Sequence, residues 1–204
     1  MITDENHILV VEDDRAIRAM LRGSLELHDF KVSEAESRSA ALGKLRADPD
    51  IAVVILDLGL PPNAHDITEG IATLKAIQAD LMAVKVIVLT GQNQEAAALE
   101  AIREGAFDFL AKPASVDTIL HAVRRALLFL QMERELGREG ITRIAINAQI
   151  SDGLKGVRID AEERLVRQIL KETGFNVYQS AKRLGVKREN IYYFLKKFGI
   201  QRDD

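Results

Sequence analysis

Cysteine and tryptophan are absent from the 204 residues, and proline occurs only four times. Without cysteine there can be no disulfide, no thiolate zinc site and no thiol nucleophile, and redox chemistry has no obvious carrier. Long apolar runs are missing too. The longest, Ile51 to Leu56, has six residues, far short of the roughly 20 that cross a bilayer. The opening MITDENH is acidic and polar, the reverse of a basic, apolar secretion signal, which predicts a cytoplasmic protein that meets no membrane. Neither collagen-like repeats nor low-complexity tracts occur. Four histidines, His7, His28, His65 and His121, are scattered without ligand spacing.

What is present is an ordinary globular composition, 47% hydrophobic and 29% charged, in a chain long enough for one domain plus a small module. Its charge is uneven. Residues 1–150 hold 16 Lys and Arg against 23 Asp and Glu, a balance of −7, whereas residues 151–204 hold 12 against 8, or +4. The two parts therefore face different partners, and seven basic residues within 176–202 predict attraction to a polyanion.

Over the first part, short apolar runs alternate with amphipathic stretches, the pattern of a parallel sheet flanked by helices. Strands are predicted at 7–11, 31–35, 51–56, 85–90 and 107–111, with helices at 15–27, 37–46, 69–79, 93–104 and from 116 onward. The fold class is α/β: a doubly wound, five-stranded parallel sheet followed by a small all-α domain. In such sheets functional groups gather at the carboxyl ends of the strands. Those ends carry Glu12, Asp13 and Asp14, then Asp57, Thr90, and Lys112 before Pro113. Carboxylates forced together raise a pKa or recruit a cation. A hard ion such as Mg²⁺ suits an all-oxygen site. Asp57 can then attack phosphorus, with Lys112 and the Thr90 hydroxyl bonding phosphoryl oxygens. Singly, each residue has a plainer role: turn former, helix cap, solvated lysine or, for Phe109, core.

ILVVEDD with Ile17-Arg18 shortly after, VVILDLGLP, VIVLTG and FDFLAKP together resemble the receiver domain of two-component response regulators, over about 1–130. The resemblance implies that Asp13 is the direct Mg²⁺ ligand, that Glu12 acts mainly through water, and that the Gly59 carbonyl completes the metal site with Asp57. Asp57 becomes the phosphoacceptor served by a histidine kinase. Thr90, Phe109 and Lys112 become the switch hydroxyl, switch aromatic and phosphate-binding lysine, and the Lys112–Pro113 bond is expected to be cis. One departure stands out: PPNAHDITEG puts Gly70 thirteen positions past Asp57, which implies an enlarged loop. DLGLPP with a late EG is reminiscent of receivers in PEP-CTERM-box regulators.

Glycines 137, 140, 153 and 156 weaken the pattern, so 131–159 reads as a linker that can begin as an extension of the last receiver helix, and 160–204 as the second domain. There, a helix from Asp160 to near Gly174 precedes VYQSAKRL and KRENIYYFLKKFGI, two short helices across a tight turn. Residues 176–200 are similar to the Fis-type helix-turn-helix that ends NtrC-class regulators. By position in that module Lys187, Arg188, Asn190 and Tyr193 face double-stranded DNA, Arg188 being suited to bidentate guanine contact, while Lys196 and Lys197 meet phosphates. The plain alternative is a three-helix packing or dimerisation module.

No G-x-x-x-x-G-K-[ST] occurs, so the ATPase of NtrC-class activators is not expected, and the layout resembles short regulators of the RegA/ActR/PrrA type. Leu120, Val123, Leu127 and Leu130 lie at coiled-coil spacing. They predict either a helix packed on its own sheet or one that projects to pair two subunits. The expected function is a phosphorylation-dependent DNA-binding regulator acting as a homodimer, with no enzymatic turnover beyond its own phosphorylation and dephosphorylation. The competing function is a phosphorelay or protein-binding adaptor. A third reading, a haloacid-dehalogenase-like phosphatase, is disfavoured by Gly59, which stands where such enzymes carry a second Asp.

Overall fold

A computed structural model describes residues 6–80, 84–91, 94–139, 141 and 153–201. The chain divides into two compact units, one ending at Ile141 and the other starting at Thr142.

In the first unit the strands are β1 (His7–Val11), β2 (Lys31–Ala35), β3 (Ile51–Leu56), β4 (Lys85–Thr90) and β5 (Asp108–Ala111), of which β1, β3 and β4 are apolar runs rich in Val and Ile. All pair in parallel in the order β2-β1-β3-β4-β5, a doubly wound sheet. Alternate side chains of a strand face opposite sides, and the core divides accordingly. Leu9, Val11, Val54, Leu56, Val86 and Val88 pack beneath α2 (Arg38–Ala47), α3 (Thr68–Ala79) and α4 (Gln94–Arg103). Ile8, Val10, Val53, Ile55, Ile87 and Leu89 pack beneath α1 (Arg15–Glu26) and α5 (Val116–Arg138). Polar residues at the turns start three of these helices: Asp14 accepts from the Ala16 and Ile17 amides at 2.7 and 3.0 Å, and Ser37 and Ser115 cap α2 and α5. Such caps contribute about 1 kcal/mol each.

Strand positions match the sequence expectation except that β5 begins one residue later, at Asp108. On α1, Leu21 and Leu25 are buried while Met20 is exposed. The coiled-coil spacing in α5 resolves in favour of the sheet: Leu120, Val123 and Leu130 are buried in the second core and Leu127 packs against it. Phe129 meets Phe107 at 5.5 Å and the Lys85 ammonium at 5.0 Å, and Lys85 pairs with Glu133 at 2.7 Å. The helix is therefore anchored to the sheet well past residue 130.

Residues 57–67, between β3 and α3, make the enlarged loop. Gly70 sits where α3 crosses Leu58: a Cβ there would fall 2.3 Å from the Leu58 Cα, so only glycine permits the crossing. The Gly70 amide donates to the Leu58 carbonyl at 3.2 Å. Pro61–Pro62 is cis, as is Lys112–Pro113.

The second unit holds α6 (Gly153–Glu172), α7 (Val177–Leu184) and α8 (Arg188–Lys197) around Val166, Leu170, Ala181, Ile191, Phe194 and Ile200. Helix α6 starts at Gly153 rather than at Asp160, which corrects the expected linker. A helical glycine costs only about 1 kcal/mol relative to alanine, so Gly153 and Gly156 do not break it. Most of the remaining linker lies outside the described residues. Gly185, at φ 66°, ends α7 in the left-handed conformation and makes the tight turn into α8. No helix among the described residues is long and apolar enough to cross a membrane.

Candidate functional site

Strand register assembles the acidic site. Val11 pairs with Leu56, so Glu12 and Asp57 leave the sheet side by side; the Asp57 amide donates to the Val11 carbonyl at 2.9 Å. One carboxylate oxygen from each of Glu12, Asp13 and Asp57 lies within 4.8 Å of the others. Thr90 pairs with Ala111, and the Lys112 amide donates to the Thr90 carbonyl at 3.0 Å, which brings the lysine to the same rim. The Lys112 ammonium donates to Glu12 Oε2 at 2.6 Å and to Asp57 Oδ2 at 2.8 Å. The Gly59 amide donates to Asp57 Oδ1 at 3.3 Å. Thr90 is buried at the end of β4, and Phe109 packs half-buried against the first core.

Burial sets the electrostatics. Glu12 is only 2% exposed and Asp57 9%. Desolvation pushes the Glu12 carboxyl above its ordinary range, helped by the neighbouring Asp57 charge and opposed by the Lys112 hydrogen bond. Desolvation alone would lower Lys112, but its hydrogen bonds to Asp57 and Glu12 outweigh burial and hold the ammonium above the usual lysine range. Outside this cluster, Asp14 is fully exposed and caps α1; the Ile17 and Ala16 amides keep its carboxyl low. The three carboxylates offer hard oxygen donors at a spacing that fits one divalent cation.

In the second unit, Ile191 and Phe194 turn inward, so the opposite face of α8 presents Glu189, Tyr192, Tyr193 and Lys196 to solvent, with Arg188 and Asn190 exposed on its flanks. Lys187, Arg188 and Lys196 make no ion pair among the described residues. Lys197 differs from the phosphate-contact expectation. Its ammonium bonds Glu162 of α6 at 2.6 Å and lies 4.7 Å from the Phe198 ring and 5.7 Å from that of Tyr193. Arg183 is likewise tied to Glu172 at 2.7 Å.

A family model described as the response regulator receiver domain matches residues 8–124. The chain belongs to this receiver family. A second model, described as bacterial regulatory protein, Fis family, matches residues 158–198. The C4-dicarboxylate transport transcriptional regulatory protein DctD of Rhizobium meliloti is 31% identical over 164 residues, covering 80% of this chain and 34% of that protein. The acid tolerance regulatory protein ActR of the same species is 35% identical over 123 residues, covering 60% of each. The solution structure of the beryllofluoride-activated NtrC4 receiver domain dimer superimposes with a TM-score of 0.55 at 28% identity, covering 61% of this chain and 98% of that one. The chain thus spans 34% to 60% of the length of the two curated relatives.

Within the receiver, the sequence reading named the acids and the lysine but not the group that holds the acidic turn. Arg18, in the Ile17-Arg18 pair, donates to the Glu12 carbonyl at 2.6 Å and the Asp13 carbonyl at 3.1 Å.

Proposed function

We propose that the chain is a phosphorylation-dependent DNA-binding transcription regulator, with Asp57 as phosphoacceptor and the module of α6–α8 as DNA reader. The observation that carries this reading is the convergence of Glu12, Asp13 and Asp57 within 4.8 Å, bridged by Lys112. A carboxylate oxygen of Asp57 attacks the phosphorus of a kinase phosphohistidine; the P–O bond forms as the P–N bond breaks, and the imidazole leaves. Glu12, Asp13, Asp57 and the Gly59 carbonyl would hold Mg²⁺. Bound there, the ion neutralises phosphoryl charge.

Lys112 already reaches Asp57 Oδ2, so a small shift lets its ammonium meet a phosphoryl oxygen as a point charge. The Thr90 hydroxyl supplies a second donor, and Phe109 moves into the space it vacates, changing the surface of α4 and β5. Leu99 and Ile102 on α4 and Leu128 and Met132 on α5 are exposed apolar groups through which two receivers would pair. Pairing tethers two weak readers, raising DNA affinity without new base contacts. Arg188 is the guanine-reading candidate, flanked by Lys187, Asn190 and Tyr193, with Lys196 on phosphate. Lys197 serves chiefly to brace α8.

Replacing Asp57 by Asn is expected to abolish labelling by radioactive acetyl phosphate in the presence of Mg²⁺ while leaving the thermal transition intact. Undiminished labelling would refute the phosphoacceptor assignment. For the reader, filter retention of random genomic fragments should fall steeply with salt; salt-independent or absent retention would leave an adaptor.

A further inference from the structure

Arg18 has no part in the phosphoryl chemistry above, yet its guanidinium is the most heavily engaged basic group near the site. One terminal nitrogen, Nη1, donates to the main-chain carbonyls of both Glu12 and Asp13, at 2.6 and 3.1 Å. Across the same turn, Nε lies 3.4 Å from Glu34 Oε1 and Nη2 3.8 Å from Glu36 Oε2. The side chain is 12% exposed. Its own helix begins on that turn, since the Arg18 amide donates to the Asp14 carbonyl at 2.9 Å.

We infer that Arg18 is a positioning residue for the metal cage: by capturing the two carbonyls it orients the peptide planes that carry the Glu12 and Asp13 side chains toward Asp57. This inference rests on the metal-site reading above. A strand-to-helix turn leaves carbonyls without ladder or helix partners, so another donor must satisfy them and thereby fix their direction. One guanidinium nitrogen holds both carbonyls while Nε and Nη2 face Glu34 on β2 and Glu36 just past it; a lysine, with a single nitrogen, cannot hold the carbonyls and meet those carboxylates at once. Groups that orient metal ligands from behind commonly contribute ten- to a hundredfold in metal affinity.

Charge and geometry predict opposite outcomes, which makes the inference testable. Arg18 is a cation beside a cation site, so removing its charge alone would tighten metal binding. Removing a positioning group would weaken it. Arg18→Lys keeps the charge and loses the fork; Arg18→Ala loses both. Arg22→Ala, which removes exposed pairs to Glu26 and Glu34, is the control. Free Mn²⁺ is followed by electron paramagnetic resonance as it titrates the full chain, with Mg²⁺ as competitor and the thermal transition recorded for each variant. Both Arg18 variants should bind Mn²⁺ about tenfold more weakly than the parent while still folded at the assay temperature, and Arg22→Ala should match the parent. Parent-like or tighter binding by Arg18→Ala overturns the positioning role alone. So does weakening no larger than its unfolded fraction, or an equal loss in Arg22→Ala. Absence of Mg²⁺-competable binding in the parent overturns the metal-site reading together with it.

Discussion

His7, one of the four histidines with no chemistry in the sequence, is 1% exposed at the start of β1, the end of the sheet remote from the acidic rim. Its Nε2 lies 2.9 Å from the Ser33 hydroxyl and its Nδ1 3.2 Å from Asp48 Oδ2. Burial holds its pKa below the ordinary 6.5, with Lys31 and Lys44 acting in the same direction and Asp48 and Asp50 opposing. Below pH 6.5 the unfolded chain therefore takes up a proton that the folded chain resists, and folding stability falls as the pH drops. Urea midpoints at pH 7.5 and 5.5 should show a larger acid loss for the parent than for His7→Asn. Equal losses would contradict the assignment.

Among elements, α8 has two unlike lysines on adjacent positions. Lys196 is free of ion pairs among the described residues and exposed on the face of α8 proposed to meet DNA, whereas Lys197 bridges α8 to Glu162 of α6. Each neutralised phosphate contributes about −0.9 to the slope of log affinity against log salt. Lys196→Ala should make the slope shallower by about 0.9 per bound module with the melting temperature unchanged. Lys197→Ala should lower the melting temperature and leave the slope alone. A slope change in Lys197→Ala as large as in Lys196→Ala would place both ammonium groups on phosphate. Helix α5 shows the same division between one face and another: its coiled-coil positions lie in the receiver core, so a partner can meet only the other face.

For the whole molecule, the proposed function assigns the phosphoryl donor to the acidic receiver and DNA to the basic module, with dimerisation as the proposed link between them. Leu128, 56% exposed on α5, can be changed without disturbing the core. Equilibrium sedimentation with and without beryllofluoride should give a dimer for the activated parent and a monomer for Leu128→Glu. A parent that stays monomeric in both conditions would exclude pairing as the switch.

Periodicity alone determined much of this protein. Buried parallel strands are near-continuous apolar runs, so 7–11, 51–56 and 85–90 could be read residue by residue, while the polar edge strand 31–35 was legible only from its place between two helical patterns; the polar groups at the strand ends were legible as a site because the winding of the chain puts those ends on one rim. Helix limits were less legible where glycine interrupts, as at Gly153, since a local cost is outweighed by packing that no local window contains. Only the tertiary structure decided that Lys112 bridges Glu12 and Asp57 across 100 and 55 residues. It alone placed Arg18 on the acidic turn, Lys197 on Glu162, and Gly70 against Leu58. Those outcomes depend on distances between segments remote in the chain, and a sequence pattern records the face a residue occupies, not the group that meets it there.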